Sequence, residues 1–182
     1  MSDHICPWWL AYSFDNWFRR LLHNPEKLYG PYVKPGMTVL DAGCGMGFNA
    51  IALAKMIGDK GCVIAADIQV EMLNVLQKRA AKAGVLKRIC MNLSRKAEIG
   101  LEQEIDFALA FWMAHETADP LAFFCEISDF LKPNGRVMIV EPYFHVSAEK
   151  FQHILDQAQK AGFKPAAFPS VRFSRACVLA PE

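Results

Sequence analysis

A chain of 182 residues, 53% apolar and 21% charged, has room for one hydrophobic core, which argues against both a two-domain enzyme and a disordered protein. Twenty Lys and Arg against 19 Asp and Glu leave a formal charge of +1, so no long-range field draws the chain to nucleic acid. No run nears the roughly 20 apolar residues of a membrane helix, so stable membrane anchoring is not expected and the expected location is cytoplasmic. The six cysteines, Cys6, Cys44, Cys62, Cys90, Cys125 and Cys177, form no Cys-x-x-Cys pair and have no His at zinc spacing. They read as reduced, mostly buried thiols, with no metal.

In chain order, the first 37 residues stand apart, because eight of the 21 aromatics fall within the first 32 positions. Leu10, Phe14, Trp17, Phe18 and Leu21 recur as one helical stripe, with Asp15, Asn16, Arg19 and Arg20 away from it. Asn24 and Pro25 read as the N-cap and first residue of a second short helix, ended by Gly30 and Pro31. From residue 38 on, strands are expected at 38–42, 63–67, 89–92, 105–111 and 137–141, alternating with amphipathic helices at 48–56, 70–83, 120–131 and 148–161. Turn signals fall between them, including residues 132–135. Two further extended runs, 164–167 and 174–179, are too close for a parallel crossover. They are expected to pair as an antiparallel hairpin at one edge of an otherwise parallel, doubly wound α/β sheet.

The segment VLDAGCGMGFNAIALA, residues 39–54, runs from a strand ending near Asp41 through Gly43, Gly45 and Gly47 into a helix. Glycines let backbone approach a ligand closely, and the helix start offers unpaired N–H groups. A dinucleotide fingerprint would have its third glycine where Phe48 stands, and there is no Gly-Lys-Ser/Thr ending for a nucleoside triphosphate. Asp67, twenty residues beyond Gly47, ends the next strand, where a carboxylate can accept from both hydroxyls of a ribose.

Together these residues resemble the cofactor site of class I S-adenosylmethionine-dependent methyltransferases of the small-molecule type. The resemblance covers residues 38–182, including the LKPNGRVMIVEP segment and the terminal hairpin. It implies a seven-stranded Rossmann-like sheet of order 3-2-1-4-5-7-6, with residues 38–182 binding S-adenosylmethionine and residues 1–37 forming a helical lid or flank. It further implies that Asp41, Gly43, Cys44, Gly45 and Gly47 surround the amino-acid part of the cofactor, that Asp67 holds the ribose, and that Ile68 packs on the adenine. Many members have an acid after the third strand; this chain has Asn92, Leu93 and Ser94 there, and Ser94 or a backbone carbonyl would serve instead.

Ligands of open α/β sheets sit at the carboxyl ends of the strands, which directs attention to Phe111 to Glu116 and to Glu141 to His145. His115 is the first candidate for a general base, oriented by Glu116 or Glu141, with His145 second. Phe111 is expected at the methionine end of the cofactor, and Trp112, Met113, Glu141, His145 and Trp17 are expected to line the acceptor. No Asn/Asp-Pro-Pro-Tyr/Phe follows the fourth strand, which argues against base or glutamine-amide nitrogen as acceptor. The resulting expectation is in-line methyl transfer to a small, apolar or aromatic acceptor by a monomer or homodimer. An NAD(P)-dependent oxidoreductase and a non-catalytic cofactor-binding regulator are the rivals.

Overall fold

The computed structural model describes residues 23–182 except Ala97. The stripe from Leu10 to Leu21, with Trp17, lies outside the described residues. Helix α1 (Pro25–Tyr29) starts as its sequence directs: the Asn24 side chain accepts from the N–H groups of Glu26 and Lys27 at 3.0 and 3.3 Å, and Pro25 takes the first helical position.

Strands β1 (Thr38–Ala42), β2 (Cys62–Asp67), β3 (Ile89–Leu93), β4 (Ile105–Phe111) and β5 (Leu131–Pro142) run parallel, and β6 (Phe163–Ala167) and β7 (Ser174–Pro181) close the sheet as an antiparallel pair. The order β3-β2-β1-β4-β5-β7-β6 is the expected one. Helices α2 (Phe48–Ile57), α3 (Val70–Lys82), α4 (Pro120–Phe130) and α5 (Ala148–Lys160) alternate with the strands, each ending within a residue of its expected boundary. Neighbouring strand residues feed opposite cores: Val39, Val63, Phe107 and Leu109 pack with α1, α2 and α3, whereas Leu40, Ile64, Ala108 and Ala110 pack with α4 and α5. Both faces are covered, so the central strands are mainly apolar, as a buried parallel sheet requires, with Asp41 in β1 and Asp106 in β4 among the charged exceptions. Among the described residues no helix is long and apolar enough to cross a membrane.

Two expectations are corrected. The turn at 132–135 lies inside β5: Leu131 pairs with Ile105, Arg136 pairs with Phe107, and the residues between them bulge out. The bulge is held by Lys132, whose Nζ donates to Asp106 at 2.7 Å. The cysteines are not mostly buried, since Cys90 and Cys125 are exposed and Cys62 is half-buried. Cys90 sits on the edge strand β3, where the outer rows of the sheet are least covered.

One carboxylate fixes the long connection into β4. Glu126 on α4 accepts from the N–H groups of Ile99, Gly100 and Leu101 at 2.7, 2.7 and 3.0 Å. Hydrogen bonds to a charged acceptor are stronger than neutral ones, so Glu126→Ala is expected to lower unfolding free energy by about 2 kcal/mol in urea titrations, and Glu126→Gln by less.

Candidate active site

The glycine loop between β1 and α2 is left-handed at each glycine, with φ of 63° at Gly43, 52° at Gly45 and 89° at Gly47. At two of them a side chain is also excluded by neighbours. A Cβ on Gly43 would stand 2.7 Å from the Met113 Cβ, and one on Gly47 would overlap Leu76. At Gly45 the same position faces open space. The loop is held by Cys44 N–H donating to the Ala66 carbonyl at 2.9 Å, and α2 follows directly with Gly47 at its N-cap.

Asp67, at the carboxyl end of β2, is 8% exposed and accepts from Gly45 N–H through Oδ2 and from Gln69 N–H through Oδ1, each at 2.9 Å. Burial raises its carboxyl above the usual range, against the lowering effect of the amides of Gln69, Gly45 and Ile68. A carboxylate has about four lone-pair sites, so these amides leave some capacity for a further donor such as a hydroxyl. Ile68, the residue after β2, and Leu93, the register partner of Asp67 on β3, are 38% and 57% exposed, an apolar surface at the edge of the cleft. Asp41 is buried nearby. Cys44 is buried too, and burial, then the charges of Asp41 and Asp67, raise its thiol well above the ordinary value, which leaves it protonated and a poor nucleophile. Ser94 gives its hydroxyl proton to the Ile99 carbonyl at 3.1 Å, a carbonyl that Asn92 also engages at 2.7 Å, and the Ser94 oxygen keeps lone pairs with which to accept. An open glycine, a carboxylate with spare lone pairs and an exposed apolar ledge fit a nucleoside attached to a small zwitterion.

The segment after β4 meets this loop through Gly43 and Met113. Trp112, at φ 60°, is a non-glycine residue in the left-handed region, which costs about 1–3 kcal/mol and persists only where surroundings enforce it. The enforcement is visible: Trp112 N–H donates to the Val140 carbonyl at 2.7 Å, and its indole Nε1 donates to Ser174 Oγ at 3.0 Å. Its ring meets Phe111, which is buried, and the exposed Phe144 edge-on at 5.9 Å.

His115 lies in a short 3-10 turn, Ala114–Glu116, and its partner is Glu141 at the end of β5. Glu141, with 0% exposure, accepts from the His115 backbone N–H at 3.2 Å and lies 2.5 Å from Nδ1. Glu116 is farther, 3.9 Å from Nε2, and the His145 ring centroid is 5.0 Å away. His115 is thus held by a buried acid rather than facing solvent. Burial lowers its pKa, but the hydrogen bond and charge of Glu141, then the charge of Glu116, outweigh it and raise the imidazole above the ordinary 6.5.

Two members of this corner are invisible in sequence patterns. Ser174 orients the indole from the start of β7, and His23, 1% exposed, packs its ring edge-on against Phe111 and Trp112 at 5.3 and 5.4 Å while bonding the Arg172 carbonyl at 3.0 Å. Neither belongs to a motif; each is recruited from a distant part of the chain. Among the described residues no three His, Cys, Asp or Glu gather as metal ligands.

Because the folded pKa of His115 is raised, its contribution to stability is full below about pH 6.5 and is lost as pH climbs through the folded value. Glu141→Gln removes the stabilising charge. Its unfolding free energy should therefore decline less than that of wild type as pH rises above about 6.5, and the His115 midpoint followed by NMR should drop.

Residues 33–171 match the family described as methyltransferase domain. A crystal structure of an S-adenosylmethionine-dependent methyltransferase from Aquifex aeolicus superposes with a TM-score of 0.87 at 27% identity, covering 96% of this chain and 98% of that one. Among curated proteins, a ubiquinone/menaquinone biosynthesis C-methyltransferase of Xanthomonas oryzae is 30% identical over 125 residues, 68% of this chain and 49% of that protein. A demethylmenaquinone methyltransferase of Bacillus cereus is 30% identical over 110 residues, 60% of this chain and 46% of that protein. The chain spans about half the length of these curated relatives. With the family match extending from the last turn before β1 to the hairpin, the chain belongs to the methyltransferase-domain family, in its S-adenosylmethionine-dependent, Rossmann-like class.

Proposed function

We propose that this chain transfers the methyl group of S-adenosylmethionine to a small apolar or aromatic acceptor by in-line displacement. The observation that carries this reading is the contact of Gly43 with Met113, which sets the glycine loop directly against the segment bearing Trp112 and His115. The cofactor supplies an electrophilic methyl on a sulfonium, so the protein's tasks are alignment and exclusion of water. Asp67 holds the ribose hydroxyls, Ile68 and Leu93 flank the base, and Gly45 lets the amino-acid part approach the backbone. Phe111 and Met113 border the methyl-bearing end.

The acceptor side is aromatic. Trp112, Tyr143 and Phe144 ring it, with Tyr143 55% and Phe144 70% exposed, and past Tyr143 and Ser174 runs a groove of about 470 Å³ bordered by Phe151, Leu155 and Phe168. An apolar or ring-shaped molecule would cover this surface, and the names of the two quinone-pathway relatives add weight to a ring acceptor. If the acceptor loses a proton, His115 takes it at Nε2, while Glu141 holds Nδ1 and stabilises the imidazolium. Residues 1–37, including Trp17, serve as lid or flank over this side; His23, where the described chain begins, already touches Phe111 and Trp112. The formal charge of +1 favours a small molecule over nucleic acid as substrate, for a monomer or homodimer.

Calorimetric titration with S-adenosylhomocysteine tests the cofactor half. Asp67→Ala should weaken binding about ten-fold or more, since charge-assisted hydrogen bonds are worth roughly 1.5 to 3 kcal/mol. Unchanged affinity in a folded variant, or preferential binding of NADH, would end this assignment. For the acceptor half, methyl-labelled cofactor is offered with a panel of quinols and phenols. Turnover should rise with pH through a value above 6.5, and His115→Ala should lower it without altering cofactor affinity. Tight cofactor binding with no turnover on any acceptor would favour the regulatory rival.

A further inference from the structure

The far end of the sheet holds a pair of thiols that methyl transfer does not use. Cys62 opens β2 and Cys90 is the second residue of β3, and their Sγ atoms are 3.1 Å apart. With Asp67 five residues along β2, at roughly 3.3 Å per residue, the pair lies about 16 Å from the cofactor end. The two side chains emerge on the same face of the sheet, because Cys90 is paired with Ile64, which shares a face with Cys62. Cys90 is exposed and Cys62 half-buried.

We propose that Cys62 and Cys90 are a site of reversible oxidative modification, closing to an intramolecular disulfide by exchange with a low-molecular-weight disulfide. The sulfurs must close by about 1 Å, from 3.1 Å to the roughly 2.05 Å of an S–S bond, and because the partners are offset by two residues along the ladder, where Cα atoms are about 7–8 Å apart, the backbone must shift as well. That movement is available because, among the described residues, β3 is the edge strand and pairs with β2 alone.

The accessibility of the two sulfurs orders the steps. Cys90, open to solvent, reacts first as thiolate: its sulfur attacks one sulfur of the small disulfide RSSR, the S–S bond breaks, and RS⁻ leaves with a proton to become RSH. Cys62 then attacks the Cys90 sulfur of the mixed disulfide, expelling the second RS⁻, which takes up the proton lost from Cys62. In balance, two protein thiols and one RSSR become one protein disulfide and two RSH; the protein gives up two electrons and two protons. Burial, then the hydrogen bond and charge of Cys90, push the Cys62 thiol up to about 11, which makes it a poor first nucleophile. Capping Cys90 removes the latter two influences at the moment Cys62 must react.

The test uses the whole chain, glutathione disulfide as the oxidant, alkylation of residual thiols and tryptic mass mapping. The expected product joins the peptide of residues 61–78 to that of residues 89–95, each carrying one cysteine, and is reversed by dithiothreitol. Cys62→Ser should leave Cys90 as a stable glutathione mixed disulfide, and Cys90→Ser should leave Cys62 alkylatable. Persistence of the mixed disulfide on Cys90 in the unsubstituted chain, or glutathionylation of exposed Cys125 with the Cys62 and Cys90 pair untouched, would overturn the proposal.

Discussion

Asp67 ties together two backbone segments, the glycine loop and the start of α3, beyond what their own backbone bonds hold. One oxygen takes the amide of Gly45 from the glycine loop and the other takes the amide of Gln69 at the start of α3. Because the carboxylate is buried, these bonds form in a medium of low polarity, where an unmatched charge would be costly and a matched one is held firmly. The Gly43 contact with Met113 then joins the anchored loop to the segment that carries Trp112 and His115. A residue read as a ligand for ribose is thus first a ligand for the protein's own backbone.

How much of this was legible depended on how local the determinants are. Strand and helix positions follow from runs of two-sided burial and three-to-four spacing, and the antiparallel edge follows from a connection too short for a crossover. The glycine loop and Asp67 were legible because backbone conformation and a strand-end acid are written in neighbouring residues. The bulge inside β5 was not, because Pro133, Asn134 and Gly135 carry the same signals in a bulge as in a turn, and only the pairing of Leu131 with Ile105 distinguishes them.

Side-chain pairing was the least legible level. Sequence left Glu116 and Glu141 as equal partners for His115; adjacency favours the first, yet the sheet brings the second to 2.5 Å and leaves the first at 3.9 Å. The Glu126 clamp, the Trp112 bond to Ser174 and the approach of Cys62 to Cys90 likewise join residues separated by at least 25 positions. Such contacts are consequences of topology, and no local pattern announces them.

The bond from Trp112 to Ser174 carries a wider implication about how such a scaffold diversifies. In the proposed reading the cofactor is held at the ends of β1 and β2, whereas the indole is steered from β7, on the other side of β4 and β5, and the neighbouring left-handed Phe173 lies in the turn that leads into it. That turn is solvent-facing, carries the exposed Phe168 and Phe173, and shares no hydrogen-bonded strand with the glycine loop. On the proposed reading, substitutions there would reshape the acceptor's surroundings and reach the glycine loop through the Met113 contact with Gly43. The hairpin is therefore the place where acceptor selectivity can drift with the least disturbance of the proposed cofactor contacts.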